Sequence, residues 1–286
     1  MVKENQEDPT NNTPDVLGTS ARIAEARKNP ESHVIESGYI SVGDGHRLFF
    51  ERWGNRQATP IYHNHGGPGA NVNDSHKALY DPTKHHVIFP RQRGTGESTP
   101  AGGLENNTTK SLVRDINIVR AELGITGKMF MSGGSWGSTL NLAYAETHPK
   151  NVEAMTLWSI YLARPRDNDY LMLDRSHDSE FPYQAARARF LSSVPPHLRG
   201  SYRDVSSFFH ERMLAGDAEA AVEYHLNTYL VCNLPGTTAE ELETGLRHES
   251  DIIPAGLLET HFIKNAEHPD FDPKILEKIA TIRHIP

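Results

Sequence analysis

A serine flanked by glycines, Gly133-x-Ser135-x-Gly137, is the arrangement in this 286-residue sequence that is best suited to chemistry. The apolar run 128–131 before it predicts a buried strand, and the run 140–145 after it predicts a buried helix. A serine on a sharp strand-to-helix turn needs neighbours with almost no side chain two positions away, because the chain is crowded there. The pattern therefore predicts a nucleophile elbow with Ser135 as the nucleophile.

The residue after the serine also suits this chemistry. Trp136 would head the following helix, so its backbone N–H would point at an oxyanion that develops beside Ser135. The alternative is a glycine-rich turn without chemistry, since Gly-x-Ser-x-Gly alone occurs by chance in many sequences. The strand and helix on either side favour the catalytic interpretation.

Strands and helices alternate along the part of the chain that must position this turn. The predicted strands cover residues 34–42, 46–53, 60–65, 85–90, 128–131 and 152–158, the first two as a β-hairpin. Apolar residues at helical spacing follow Asn107-Thr108-Thr109 and predict a helix between the fourth and fifth strands. This alternation implies an α/β fold with a largely parallel sheet that is covered by helices on both faces.

The composition changes along the chain and predicts four segments. Residues 1–31 contain few large apolar side chains and predict a disordered tail. Residues 32–163 predict the α/β core, and the helical patterns of 164–265 predict a cap inserted over the active-site face. Residues 266–286 return to the core, with a strand-like run at 279–286.

Charge and cysteine content exclude several classes of function. With 29 basic and 37 acidic residues, a formal charge of -8 and a pI near 6.0, the chain has no basic field for nucleic acid. Its one cysteine, Cys232, excludes an internal disulfide framework and a cysteine-rich metal site. We expect Cys232 to pack as a small apolar residue of the cap. No apolar signal region or membrane-length apolar stretch is present, so we expect a cytoplasmic protein without a membrane partner.

The sequence resembles the proline iminopeptidases, serine peptidases of the α/β-hydrolase fold, from about residue 38 to residue 286. Five motifs carry the resemblance: His65-Gly66-Gly67-Pro68-Gly69, Gln92-Arg93-Gly94-x-Gly96-x-Ser98, Asn107-Thr108-Thr109 with Leu112-Val113-x-Asp115-Ile116, Gly133-Gly134-Ser135-Trp136-Gly137-Ser138-Thr139-Leu140, and Glu259-x-His261-Phe262 with Ile282-Arg283-His284-Ile285-Pro286. Jointly they are specific, although each motif alone is weak. The resemblance implies an α/β-hydrolase fold, with a mostly parallel sheet flanked by helices and an inserted helical cap.

The resemblance also implies roles for individual residues. Ser135 would be the acylated nucleophile, and the N–H groups of Gly67 and Trp136 would form the oxyanion hole. Gly66 and Glu259 would bind substrate, with the Glu259 carboxylate pairing with an N-terminal ammonium. A solvated helix residue is the alternative interpretation of Glu259. The implied substrate is a small peptide or amide with a free N-terminus, and no cofactor or metal is implied.

Three departures from the family pattern bear on specificity. Arg91 stands where the family usually has aspartate. Residues 157–161 read Leu-Trp-Ser-Ile-Tyr where the family commonly reads Leu-Arg-Gly-Ile-Phe. The family's Trp-x-x-Trp-Glu, which supplies a second ammonium-binding glutamate, has no clear counterpart around residues 224–228. We therefore do not expect strict specificity for N-terminal proline.

A fourth departure concerns the catalytic triad, whose order in this fold is serine, then an acid, then histidine. No histidine after Ser135 occupies a Gly-His turn that follows a late strand, so we expect each of them in the cap or on a helix surface. The resemblance places the triad acid and histidine beyond Pro286. We therefore expect a truncated chain that lacks the late strands and has little activity of its own.

Three other functions remain open. His63 and His65 alternate on one predicted strand and, with His85 and His86, suggest a metal hydrolase, although no further ligand has a supporting spacing. Another α/β-hydrolase activity, as an esterase or amidase, is the second. A non-catalytic relative that kept the elbow and lost the base is the third.

Overall fold

A six-stranded sheet forms the centre of the computed structural model, which describes residues 24, 28–173, 184–232 and 238–286. Its strands are β1 (Val34–Gly43), β2 (His46–Gly54), β3 (Pro60–Asn64), β4 (His86–Pro90), β5 (Met129–Ser135) and β6 (Val152–Ile160). The order across the sheet is β1-β2-β4-β3-β5-β6. β2 pairs antiparallel with β1 and β4, whereas β4, β3, β5 and β6 run parallel, so the predicted hairpin and parallel sheet are confirmed.

Ten α-helices accompany the sheet in the described residues. They are α1 (Asp74–Lys77), α2 (Thr109–Glu122), α3 (Trp136–Thr147), α4 (Pro165–Met172), α5 (Gln184–Ser193), α6 (Tyr202–Leu214), α7 (Ala218–Cys232), α8 (Ala239–Leu246), α9 (Ile252–Lys264) and α10 (Ile275–Lys278). Short 3₁₀ helices cover Pro30–His33, Pro149–Asn151, Pro196–Leu198 and Ile279–Thr281. No helix in the described ranges combines the length and the apolar character needed to cross a membrane.

Helix starts follow the chemistry of their capping residues. Thr108 caps α2, since its hydroxyl accepts a hydrogen bond from the Ser111 backbone N–H. Thr238 and Glu241 form a reciprocal capping box at the start of α8. These caps satisfy backbone donors that a helix leaves unpaired in its first turn.

The sheet and the later helices have separate apolar cores. One buried cluster joins the sheet to α2 and α3 and includes Tyr62, Ile116 and Leu140. A second cluster lies among α4–α9, where the rings of Phe190 and Phe209 stack with centroids 4.9 Å apart. The helices over residues 165–264 therefore bury an apolar core of their own.

The strand-like run at 279–286 was wrongly predicted, because it contains the 3₁₀ helix Ile279–Thr281 followed by a turn. Ile279, Ile282 and Ile285 are spaced by three residues, which a 3₁₀ helix repeats on one face. Ile282 is buried in the sheet core and Ile285 packs against it. Pro286 still reaches the edge of the sheet, where its carbonyl accepts a hydrogen bond from the Met155 N–H at 2.9 Å.

Sheet register brings the two predicted active-site loops together. Asn64, the last residue of β3, is the register partner of Gly133 in β5, so the loop after β3 and the turn after β5 lie side by side. The carboxyl ends of neighbouring parallel strands are where α/β proteins place their binding sites. Helix α9 lies over this edge, since a Cβ atom on Gly69 would be 2.6 Å from the Ala255 carbonyl oxygen.

Candidate active site

Ser135 sits at the junction of β5 and α3 in a strained backbone conformation. Its φ is 53° and its ψ is -125°, a region that non-glycine residues rarely adopt. A Cβ atom on Gly133 would lie 2.5 Å from the Asn64 carbonyl oxygen, and one on Gly137 would lie 2.2 Å from the same atom. The end of β3 thus excludes side chains on both sides of Ser135, which gives the predicted elbow its physical reason.

The two backbone donors proposed for the oxyanion hole belong to different elements: Trp136 follows Ser135 at the start of α3, and Gly67 lies in the loop after β3. Trp136 is the first residue of α3, so its N–H has no partner within the helix. Its indole is buried and donates to Gln92 Oε1 at 3.1 Å, so the side chain is held inside the protein. Gly67 has a φ of 113°, and a Cβ atom there would lie 2.5 Å from the Gly69 nitrogen. Only glycine fits this loop conformation.

His65 forms hydrogen bonds that fix the glycine loop, the segment that contains Gly66 and Gly67. Its Nε2 accepts a hydrogen bond from the Gln92 N–H at 3.2 Å, and its Nδ1 donates to the Gly66 carbonyl at 2.9 Å. Burial lowers the pKa of His65 to about 3, so the ring is neutral at physiological pH. A neutral ring with one donor and one acceptor fixes the loop that carries Gly67.

A cavity of ≈ 500 Å³ unites most of the predicted site residues. It is lined by Gly66, Gly67, Ser135 and Glu259 together with side chains from both the sheet and the helices over it. The cavity therefore joins the glycine loop, the elbow and helix α9 in one space. A site of this size suits a small ligand.

Glu259 is a buried side chain of this cavity. It lies on α9 with 8% relative exposure, so the alternative of a solvated helix residue is wrong. Burial raises the pKa of Glu259 to about 8, because the charged form loses its hydration there. One carboxylate oxygen, Oε2, lies 3.6 Å from Nδ1 of His225, which is also buried.

The structure adds cavity residues that the sequence analysis did not identify. They include His76, Trp158, Tyr161, Thr228 and Cys232, which come from α1, β6, the segment after β6, and α7. The sequence offers a local signal only for the helix that carries His76, because Asn73, three residues earlier, is a good helix cap. The others are cavity residues only because distant elements meet.

The Ser135 hydroxyl has no hydrogen-bond partner among the residues that the structure describes. His76 shares the cavity, but its Nδ1 accepts a hydrogen bond from the Asn73 N–H at 3.1 Å. The neutral ring therefore carries its proton on Nε2 and is a donor there. Three later histidines have other partners: His210 contacts Thr260, His225 contacts the Ile252 carbonyl, and His261 contacts the Asn107 carbonyl.

The expectation that these later histidines lie in the cap or on helix surfaces holds for His210 and His225. His210 and His225 do lie on helices of the 164–265 segment, but both are buried rather than on a surface. Each occurs within an apolar helical stripe, where a satisfied polar ring can pack in a core. Periodicity alone does not separate this position from a solvated one.

Residues that depart from the family motifs are accommodated by local contacts or by local backbone conformation. Arg91 Nη2 lies 2.9 Å from Glu51 Oε2 on β2, so its charge is paired inside the protein. Ser159 has a φ of 47° where the family commonly has glycine. Tyr161 donates a hydrogen bond from its hydroxyl to Asn168 Oδ1.

The histidines that suggest a metal site have protein partners instead. His63 Nδ1 lies 2.8 Å from the Tyr80 hydroxyl, and His86 Nε2 lies 3.3 Å from Arg52 Nε. Over residues 28–173, 184–232 and 238–286 no group of three or more histidine, cysteine or acidic side chains could hold a metal ion. The described geometry thus offers no support for a metal hydrolase.

Comparison with known proteins gives a consistent set of relatives. A family model described as "alpha/beta hydrolase fold" matches residues 59–223. The chain is 39% identical over 267 residues to the proline iminopeptidase of Xylella fastidiosa strain Temecula1, covering 90% of this chain and 80% of that protein. With the proline iminopeptidase of strain 9a5c it shares 39% identity over 188 residues, 66% of this chain and 58% of that protein.

A solved structure agrees with the fold. The haloalkane dehalogenase DbeA-M1 loop variant from Bradyrhizobium elkanii superimposes with a TM-score of 0.56 at 19% sequence identity. The match covers 88% of this chain and 77% of that chain. At this sequence identity the similarity shows only that the two proteins share an architecture.

Proposed function

The chain belongs to the proline iminopeptidase family of the α/β-hydrolase fold, and on that basis we propose that it is a serine aminopeptidase that acts on N-terminal proline or a similar small residue. The observation that carries the proposal is the shared cavity. A strained serine, a glycine loop and a buried carboxylate meet there in one space of ≈ 500 Å³. Such a site can hold an acyl group, its oxyanion and a free amine together.

The reaction would proceed through an ester on Ser135. The Ser135 Oγ attacks the carbonyl carbon of the first residue and loses its proton, and the peptide C–N bond then breaks as the leaving amine gains a proton. Water next hydrolyses the ester and releases the amino acid. The N–H groups of Gly67 and Trp136 would stabilise the oxyanion by about 3 kcal/mol each, as such donors do in comparable hydrolases.

Glu259 would select substrates with a free N-terminus. A carboxylate in a partly dry cavity pairs strongly with an ammonium group, through a charge-assisted hydrogen bond. Glu259 is the only acidic residue among the described residues that line the cavity, since α7 contributes Thr228, Val231 and Cys232. A single carboxylate supports a preference for small free-amine residues that is less strict than absolute specificity for proline.

The base that activates Ser135, and the acid that would orient this base, have no candidate in the described part of the chain. A serine hydroxyl is almost wholly protonated at neutral pH and reacts slowly without a neighbouring base. Activated esters acylate a serine more readily than amides do, so they can test the other components of the site separately.

The single cysteine, which leaves no internal disulfide, supports a cytoplasmic location as part of the proposal.

The test compares two activated esters, prolyl and N-acetylprolyl 4-nitrophenyl ester, and locates the acyl group by mass spectrometry. We expect acylation at Ser135, with faster reaction of the ester that has a free amine, and none at that position in Ser135→Ala. Acylation elsewhere would remove Ser135 from the reaction. Equal rates with the two esters would show that the cavity does not recognise the amine and would favour a general esterase.

A further inference from the structure

Glu259 and His225 are a buried acid and base that face each other across two cap helices. Glu259 lies on α9 and His225 on α7, and Glu259 Oε2 is 3.6 Å from His225 Nδ1. The separation is slightly longer than a hydrogen bond, so the two groups face each other just outside hydrogen-bond distance. No other hydrogen-bond partner of the Glu259 carboxyl group lies within the described residues.

The orientation of His225 is set by its other nitrogen. Nε2 lies 3.2 Å from the Ile252 carbonyl oxygen, which can only accept a hydrogen bond. In the neutral ring the proton is therefore on Nε2, and Nδ1 presents a lone pair to Glu259. A protonated Glu259 can donate to that lone pair, whereas an ionised Glu259 would face it without a proton between them.

The surroundings favour the state with one proton in the pair. Tyr161, from the segment after β6, and Tyr224, from α7, lie near Glu259 and have pKa values raised by burial, so they are neutral at physiological pH. Tyr229 and Cys232, also on α7, are more exposed, and partial desolvation raises their pKa values as well.

The negative charge of Asp251, just before α9, partly opposes the effect of burial on the pKa of His225. Burial nevertheless lowers the pKa of His225 to about 4 and raises that of Glu259 to about 8. Among the described residues, Glu259 forms no ion pair with a lysine or an arginine, and its neighbour Thr260 contacts His210 on α6.

We infer that Glu259 and His225 hold one proton between them when the cavity is empty, and that an ammonium ligand binds by displacing this proton to solvent. His225 is a positioning residue in this arrangement, because it accepts the proton of the carboxylic acid and does not touch the ligand. The inference rests on the proposed amine site at Glu259. It makes ligand binding depend on pH even though the ligand keeps its charge.

The experiment measures binding of pyrrolidinium, a cyclic ammonium that stays charged between pH 6 and 9 and has no bond to hydrolyse. Isothermal titration calorimetry in two buffers with different ionisation enthalpies gives the number of protons released per ligand bound. We expect about one proton released at pH 6.5 and a number that falls towards zero above pH 9. Over the lower part of this range the affinity should rise about tenfold per pH unit, because one proton is linked to binding.

Three variants separate the pair from a general packing effect. Glu259→Gln should abolish proton release and most of the affinity. His225→Phe removes the acceptor of the acid's proton, so the midpoint of the affinity profile should move to lower pH by about one unit. His210→Phe is the matched control, a buried histidine on the adjacent helix that contacts Thr260, and it should leave the midpoint unchanged.

Each contrary result has a distinct meaning. Tight, pH-independent binding without proton release would show that Glu259 is already ionised and would overturn the inference while leaving the amine site intact. An equal shift in His225→Phe and His210→Phe would also overturn it. No pyrrolidinium binding at any pH would overturn the proposed amine site itself. If His225→Phe does not fold, His225→Asn, which keeps an acceptor, should fold and retain the midpoint of the unaltered protein, and a shifted midpoint there would count against the pair.

Discussion

The indole of Trp158 packs against the backbone of Gly134, the residue before Ser135. A Cβ atom on Gly134 would lie 2.1 Å from Trp158 Nε1 and 2.6 Å from Trp158 Cδ1 and Cε2. Trp158 also lines the cavity, so the residue before the nucleophile and one wall of the cavity are coupled sterically. The sheet register, which pairs Gly134 with Trp158 across β5 and β6, is the origin of this contact.

Gly134→Ala should therefore slow acylation of Ser135 by prolyl 4-nitrophenyl ester at least tenfold, because Trp158 must move to admit the methyl group. Trp158→Ala creates the missing space, so the double variant should react no more slowly than Trp158→Ala alone. Such non-additivity is expected of residues in contact. Gly127→Ala, at a glycine with nothing within 4 Å, is the control and should react normally. Additive effects of the two substitutions would contradict the proposed contact.

Gly67→Val should lower the rate of Ser135 acylation by about 10²–10³, the usual cost of losing one oxyanion donor. The valine would collide with the Gly69 and Ala70 nitrogens, 2.5 and 2.7 Å from its Cβ, and would displace the loop. The thermal midpoint should change little, since the loop lies at the cavity. Gly124→Val places a valine at another positive-φ glycine, in open space, so a comparable loss of rate in that variant would assign the effect to backbone strain.

Glu259→Gln should reduce the preference for the free-amine ester over its acetylated form by about 10- to 150-fold. A hydrogen bond to a charged group contributes about 1.5–3 kcal/mol, and glutamine keeps the shape without the charge. The ratio of the two acylation rates is the measurement. Glu240→Gln, at an exposed position on α8, should leave the ratio unchanged. An unaltered ratio in Glu259→Gln would place amine recognition elsewhere.

Glu259 should also make the stability of the protein depend on pH. Its folded pKa of about 8 lies above the ordinary value of 4.5, so the folded state holds the proton more tightly than the unfolded state does. The stabilisation is thus complete below pH 4.5 and is lost as the pH rises through about 8.

Glutamine imitates the protonated acid at every pH. Glu259→Gln should therefore melt with the unaltered protein near pH 5 and roughly 5 °C above it at pH 8.5. Differential scanning calorimetry at both pH values checks this, and a constant difference would contradict it.

The 286-residue chain should hydrolyse a prolyl arylamide slowly, with a kcat about 10⁶-fold lower than that of an enzyme with a complete serine triad. The reason is that no described side chain contacts the Ser135 hydroxyl as a base. The assay follows arylamine release by the purified chain, with Ser135→Ala as the blank. Ordinary turnover would show that a histidine of this chain serves Ser135 after rearrangement, and His76→Ala would test the one that shares the cavity.

Local sequence was sufficient for most of the elements. The elbow, the hairpin and the helix after Thr108 were predicted because each depends on residues that are near one another in the chain. The run at 279–286 was the exception. Its isoleucines fit a strand and a 3₁₀ helix almost equally well, and contacts with the sheet core decided between the two.

By itself, the sequence determined which residue is the candidate nucleophile and which type of fold carries it. A glycine-flanked serine between an apolar strand and an apolar helix is compatible with few structures other than a nucleophile elbow. The tertiary structure decided what surrounds that serine. Asn64 closes the space beside Gly133 and Gly137, and Glu259 becomes a buried acid facing His225, 34 positions earlier in the chain. Burial and partner are properties of packing between distant segments, and no local pattern of residues encodes them.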